Sequence, residues 1–190
     1  VVKNNIYNTD EHSNNIGAVN CVSKDKKNWI GTNTDWIGFE KSIENMNINK
    51  QIKIALILGY GGAAKAIIYS LIKRGTEKIY IYNRTAKKLN NLVNNKSIIP
   101  ISLDEIQTKI KETDIVVNTT PTNLLAGICD KKNKLDCFGF DIVYRPKETD
   151  FLSYFNRDKR IYGISMLVHQ AIPCFRSWFG FEPTPDEGLY

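Results

Sequence analysis

The chain has 190 residues, 42% of them hydrophobic and 24% charged, enough to bury a substantial core as one large domain or one domain with an appendage. A net charge of +6 and a pI near 9.0 raise nucleic acid as a partner, but the lysines are scattered or clustered in loop-like stretches at 24–27 and 131–134, with no basic helix face, so that class is set aside. No run is long and apolar enough for a membrane span and no signal segment stands at the start, so a cytoplasmic protein without a membrane partner is expected; the first residue is Val1 and not Met, so upstream sequence is expected too.

Residues 1–15 are polar and rich in Asn. IGAVNCVS at 16–23 alternates as a strand does, a turn is predicted at 25–28, and WIGTNTD at 29–35 reads as a second short strand, so this part has the pattern of a hairpin. Thr34 or Asp35 opens a helix whose apolar stripe is Ile37, Phe39, Ile43 and Met46, and the polar stretch at 47–51 marks a boundary. From residue 52 strands and helices alternate. Strands are predicted at 52–58, 78–83, 98–101, 114–120 and 138–144, and helices at 64–75, 87–94 and 103–111. The last strong helix spans 166–178 and carries Leu167, Ile172, Phe175 and Trp178. Such alternation specifies an α/β fold, a Rossmann-like doubly wound parallel sheet with helices on both faces. Ligands of these sheets collect beyond the carboxyl ends of the strands, where Gly59, Arg84, Asn118, Thr119, Thr120 and Tyr144 stand.

The segment IALILGYGGAAKAII carries the strongest local signal. Gly59 suits a tight turn, Gly61 has no Cβ to block a pyrophosphate, and Ala64 lets the new helix lie close to the strand. A helix N-terminus favours a nearby anion by about 0.3–1 kcal/mol, beyond the direct amide hydrogen bonds. Small residues also serve ordinary strand-to-helix packing, so the loop gains weight only from the complete strand-helix-strand unit around it. The second strand of that unit ends at Asn83, Arg84 and Thr85. An acidic residue there would read a free ribose 2′-hydroxyl, whereas Arg84, backed by Thr85 and Lys88, suits a 2′-phosphate and therefore NADP over NAD. A second reading has Arg84 and Lys88 merely capping a helix in solvent.

Cys21, Cys129, Cys137 and Cys174 show neither metal-ligand nor redox spacing and read as reduced thiols. His12 and His169 are too few and too far apart to suggest a metal site, and His169 reads as a helix-surface residue.

Several separated motifs resemble one family, shikimate dehydrogenase. They are IGAVN at 16–20, NTDxxGF at 33–39, GxGGAAKA at 59–66, NRT at 83–85, VNTTP at 117–121, DIVYxPxxT at 141–149, GxxMLVHQA at 163–171 and FxxWFG at 175–180. The resemblance covers nearly the whole chain. It implies NADP-dependent reversible reduction of 3-dehydroshikimate to shikimate in aromatic biosynthesis, with a small-molecule substrate and a monomer or homodimer. By similarity Asn20 and Asp35 hydrogen-bond the substrate hydroxyls, and Tyr144 and Gln170 complete the pocket. Gly59, Tyr60, Gly61, Gly62 and Ala63 hold the pyrophosphate, and Asn83, Arg84, Thr85 and Lys88 the 2′-phosphate. Asn118 and Thr119 join the cofactor set, and Ile142, Gly163 and Met166 line the nicotinamide end. In the family a lysine exchanges the proton and an aspartate orients it, and Asp35 matches the aspartate; as an alternative, Asp35 is simply the N-cap of the following helix.

The family's lysine belongs to a segment upstream of IGAVN that this chain does not carry, and Lys3 lies outside the required context. The expected division is therefore a remnant of an α/β substrate-binding domain with its linking helix at 1–50, an NADP-binding Rossmann-like domain at 51–160, and a helical segment at 161–190 returning toward the substrate domain. A non-catalytic NADP-binding module and a quinate dehydrogenase are the competing expectations. Trp36, Tyr60 and the TNLLAG segment at 122–127 depart from the family pattern, and Trp36 either crowds the substrate or packs on the linking helix.

Overall fold

The computed structural model describes residues 8–25, 28–46, 51–92, 95–186 and 188. Six parallel strands form its centre: β4 (Ile54–Leu58), β5 (Lys78–Tyr82), β6 (Ile98–Pro100), β7 (Ile115–Asn118), β8 (Phe138–Asp141) and β9 (Arg160–Tyr162), in the order β6-β5-β4-β7-β8-β9. The chain winds outward from β4 through β5 to β6, then returns to the other side of β4 with β7, β8 and β9. The reversal leaves a crevice between the carboxyl ends of β4 and β7, the ligand position of such sheets. Ala55, Leu56, Ile57 and Leu58 have no exposed surface, which is why β4 reads as an unbroken apolar run and not as an alternating one.

One face of the sheet is covered by α2 (Asp35–Asn45), α3 (Gly62–Lys73) and α5 (Gly163–Phe179), whose Phe39, Ile43, Ile67, Leu71 and Met166 pack on Ile57, Ile79 and Val117. The other face carries Ile106 of the one-turn helix α4 (Ile106–Lys109), together with Ile110, Leu125, Phe151 and Phe155. Gly139 of β8 admits this second layer, since a Cβ there would lie 2.3 Å from the Phe155 ring. A separate three-stranded sheet, ordered β1-β3-β2, joins β1 (Asn8–Thr9), β2 (Cys21–Asp25) and β3 (Asn28–Thr32), with β2 and β3 antiparallel and β1 parallel to β3.

The parallel sheet and the hairpin follow the sequence expectation, while several boundaries do not. The strand expected from residue 16 starts only at Cys21. Residues 11–16 form α1 (Glu11–Ile16), capped by the Asp10 carboxylate accepting from Ser13 N–H at 2.7 Å and closed by Gly17 at φ 73°. The helix expected at 87–94 is a 3-10 turn over Ala86–Leu92, and positions 93 and 94 lie outside the described residues. The helix expected at 103–111 contracts to α4 followed by a 3-10 turn over Ile110–Glu112. Strand β9 was not anticipated, because three residues give no alternation to detect and β8 supplies the pairing. Positions 26–27 of the predicted turn, the 47–50 stretch and Lys3 are also outside the described residues. Among the described residues no helix is long and apolar enough to cross a membrane.

Candidate cofactor and substrate site

The residues that follow the strands converge on the β4/β7 crevice. Gly59 donates its N–H to the Tyr82 carbonyl at 2.8 Å and holds φ at 104°. A Cβ at this position would stand 2.5 Å from Thr119 Oγ1 and 2.8 Å from Thr120 Cγ2, so the turn closes only around glycine. Thr119 is itself fixed, because its N–H and hydroxyl both donate to the Leu58 carbonyl, at 2.9 and 2.8 Å. Gly61 plays the opposite part. It is the exposed N-cap of α3, with nothing within 4 Å of where a Cβ would sit, and no side chain caps the helix. The first amides of α3 therefore keep their hydrogen-bonding capacity for an anion. Gly62 and Ala63 continue into the helix, and Ala64 is fully buried against the sheet.

Beyond β5, Asn83 Nδ2 and Lys88 N–H both donate to the Thr85 carbonyl, at 2.9 and 3.1 Å, shaping the turn that presents Arg84 to solvent. Gly59, Asn83, Arg84, Thr120 and Thr122 share a cavity of about 240 Å³ with no carboxylate in its walls. Among the described residues neither Arg84 nor Lys88 is in an ion pair. Asn118 is buried under this loop. It donates to the Thr120 carbonyl at 3.0 Å and to Asp141 Oδ1 at 3.1 Å, and it accepts from the Thr120 N–H and hydroxyl at 3.1 and 2.8 Å. Asp141 also accepts from the Thr149 hydroxyl at 2.6 Å and from Val143 N–H at 3.1 Å. Burial raises its pKa against the pull of these donors. Asn118 and Thr119 thus brace the loop, while the space beside them is lined by Thr120 and Arg84.

A second cavity of about 240 Å³ brings the other candidates together. Its polar lining comes from Asn20, Asp35 and Gln170 and its apolar lining from Ala63, Ile142, Gly163, Met166 and Leu167, with Tyr144 exposed beside them. Asn20 Nδ2 donates to Asp35 Oδ1 at 2.8 Å, to Thr34 Oγ1 at 3.0 Å and to Gln170 Oε1 at 3.2 Å, and Asn20 Oδ1 accepts from Thr34 N–H at 2.8 Å. The Asp35 N–H donates to Asn33 Oδ1 at 3.1 Å, and Asn33 Nδ2 reaches the Ala18 carbonyl at 3.1 Å. Burial raises the Asp35 pKa, and the bond from Asn20 offsets part of that rise. Asp35 is the first residue of α2, and Thr34 takes the N-cap position without a capping side-chain bond. The two helices that carry Asp35 and Gln170 approach closely at Gly38, where a Cβ would lie 2.6 Å from the Met166 carbonyl oxygen and 2.9 Å from Gln170 Cβ. Gly163 is equally confined, with the Asp141 and Ile142 carbonyl oxygens each 2.6 Å from its Cβ position.

Sequence reasoning named Thr34 only as a helix start and missed its place in this network, where its buried hydroxyl also approaches Gln170 Oε1 at 3.3 Å and Cys174 Sγ at 3.2 Å. The NTD triplet was the available signal. Trp36 is turned away from the cavity. It packs on α1 and α3, with its ring centroid 4.8 Å from His12 and 6.0 Å from Tyr69 and with Lys73 Nζ 4.6 Å above it. His169 lies outside both cavities, bonded to Asn45 Nδ2 at 2.8 Å, and the four cysteines are unpaired.

Known proteins resemble this chain over most of its length. A family model described as shikimate / quinate 5-dehydrogenase matches residues 41–133. The shikimate dehydrogenase (NADP(+)) of Dictyoglomus turgidum is 37% identical over 184 residues, covering 90% of this chain and 65% of that protein. The crystal structure of shikimate dehydrogenase from Aquifex aeolicus superposes with a TM-score of 0.81 at 34% identity, covering 96% of this chain and 69% of that one. The Thermus thermophilus shikimate 5-dehydrogenase in complex with NADP(H) and shikimate gives a TM-score of 0.81 at 28% identity, covering 99% and 72%. The chain spans just under two thirds of the length of the curated relatives it matches, 63% to 66% for three of them.

Proposed function

We propose that this chain, which belongs to the shikimate dehydrogenase family, binds NADP and provides one wall of a site for the reversible, NADP-dependent reduction of 3-dehydroshikimate to shikimate. The observation that carries the reading is one cavity lined both by Asn20, Asp35 and Gln170 and by Ile142, Gly163 and Met166. A polyhydroxylated ring held by the polar trio would present a carbon to the apolar wall, where a nicotinamide is expected to lie.

The residues present fit a dinucleotide phosphate. Gly59 and Gly61 clear a turn over the open N-terminus of α3, and among the described residues Arg84 has no ion-pair partner and its cavity no carboxylate. When bound, the cofactor supplies or accepts the hydride. The chain's own groups bind and orient. The first amides of α3 hold the pyrophosphate, Arg84 with Thr85 and Lys88 holds the 2′-phosphate, and Asn20 and Gln170 fix the substrate hydroxyls. Tyr144 closes the rim. Asp35, bonded to Asn20 and half-buried, is placed to accept a hydrogen bond from the hydroxyl next to the reacting carbon and to orient a cationic proton donor. Among the described residues no cation pairs with Asp35. We read residues 1–50 as part of a substrate-binding domain, 51–160 as the NADP-binding domain and 161–190 as the segment returning to the substrate side.

The test is shikimate-dependent reduction of NADP by the purified chain, followed by absorbance, with quinate and NAD as comparison substrates and with NADP affinity measured in the same preparation. Turnover with shikimate supports the dehydrogenase. Binding of NADP without turnover assigns the chain a cofactor-binding role that needs a further group for proton transfer, and absence of NADP binding refutes the assignment.

A further inference from the structure

A cavity of about 490 Å³, larger than either cavity of the proposed site, lies between α1, α3, the 3-10 turn at 86–92 and β6. Among the described residues its lining holds two lysines, Lys65 and Lys96, and no carboxylate. Among the described residues neither lysine is in an ion pair, whereas Arg74 at the end of the same helix α3 meets Glu40 Oε2 at 2.5 Å. Lys65 Nζ stands 5.4 Å from the centroid of the Tyr60 ring. Tyr60 occupies the middle of the glycine turn, where a small residue would suffice, and its half-buried ring packs on the apolar core while lining this cavity. Tyr69 forms another part of the wall and is held by His12 Nδ1 at 2.7 Å from its hydroxyl. The aliphatic lining comes from Ile16, Ile68, Ile72, Leu92 and Ile98.

The walls restrict what can bind. A bare inorganic anion would neutralise the lysines but leave the isoleucine lining in water, and a neutral apolar ligand would cover the isoleucines but leave the lysine charges without a counter-charge. Both requirements are met by a flat apolar body bearing one carboxylate, its ring against the tyrosine and isoleucine lining and its charge toward the lysines. The volume is within the range of small-ligand pockets, about 300–1,000 Å³. We propose that this cavity is a second binding site, separate from the cofactor and substrate cavities, for a small aryl carboxylate.

Benzoate titrated into the purified chain, followed by calorimetry and by saturation-transfer NMR, tests the assignment without requiring NADP or turnover, so its failure is separate from failure of the dehydrogenase reading. Saturable binding is expected, weakened at least about tenfold in Lys65→Gln and in Lys96→Gln, as loss of one charge-assisted bond implies. Arg84→Gln should leave it unchanged, and inorganic phosphate at the same concentration should not displace benzoate. Both lysine side chains reach solvent, and circular dichroism checks that each variant folds. The site is refuted if benzoate does not saturate, if neither lysine variant weakens it, or if Arg84→Gln weakens it as much as they do.

Discussion

Replacing Arg84 by Asp bears directly on cofactor choice. Arg84 follows β5 and lines the cavity that also contains Gly59, Asn83 and Thr120, with no carboxylate in the lining and no ion pair to break among the described residues. Its guanidinium is therefore available to a 2′-phosphate at little cost in lost internal contacts. One charge-assisted hydrogen bond contributes about 1.5–3 kcal/mol, or roughly 10- to 150-fold in affinity. Because the side chain is exposed, salt screens the interaction and puts the effect toward the lower end. Arg84→Asp removes this bond from NADP and sets a carboxylate where NAD offers a free hydroxyl. The ratio of NADP to NAD affinity, measured by calorimetric titration of each cofactor, should fall at least about tenfold. The fall should be larger at low ionic strength. A change in the ratio of less than about threefold, a value too small for one charge-assisted bond, would place the 2′-phosphate elsewhere.

Gly59→Ala forces a Cβ onto Thr119 at a positive φ and should destabilise the chain by about 1–3 kcal/mol while weakening NADP binding; an unchanged denaturant midpoint would contradict the turn geometry. Gly38→Ala sets two effects against each other. Alanine favours a helix by about 1 kcal/mol, but the 2.6 Å approach to the Met166 carbonyl should dominate, costing about 1–3 kcal/mol and separating Gln170 from Asn20. A rise in thermal stability would show that α2 and α5 have room to part. Asp35→Asn should abolish turnover and leave NADP affinity nearly intact, and a large loss of cofactor affinity would argue against a substrate-side role. The same variant reports on stability. Burial raises the carboxyl pKa, so the folded chain holds that proton more tightly than the unfolded chain does. The resulting penalty is absent below the unfolded pKa, grows as pH rises toward the folded one and is constant above it. Asp35→Asn should therefore be more stabilising relative to the parent at pH 7 than at pH 3, by about 1.4 kcal/mol for each pH unit of the rise; parallel stability curves would rule this out.

The parallel sheet and its glycine turn were legible because their signals are local. The β4 run, the glycines of the turn and the change to helical spacing after Gly61 all fall within fifteen residues, and chain order then places Asn83 and Arg84 after the next parallel strand. The pairing of Asn20 with Gln170 was legible only through motif resemblance, since they are 150 positions apart and nothing in their own neighbourhoods joins them. Helix α1 escaped notice because a six-residue polar segment has too little periodicity, although its Asp10 cap and the Gly17 stop were both readable.

By itself the sequence determined the parallel α/β architecture, the glycine turn after β4 and the basic character of the β5 end, because these depend on short-range periodicity and on what glycine permits. Tertiary structure decided the rest. It made a strand of Arg160–Tyr162 by pairing it with β8, sent Trp36 toward α1 and α3 instead of into the cavity that Asp35 lines, and buried Asp35 far enough to raise its pKa. It also left Lys65 and Lys96 beside a cavity without a counter-charge. Each of these depends on which distant groups share a small volume, and spacing along the chain carries no record of that until the helices have packed.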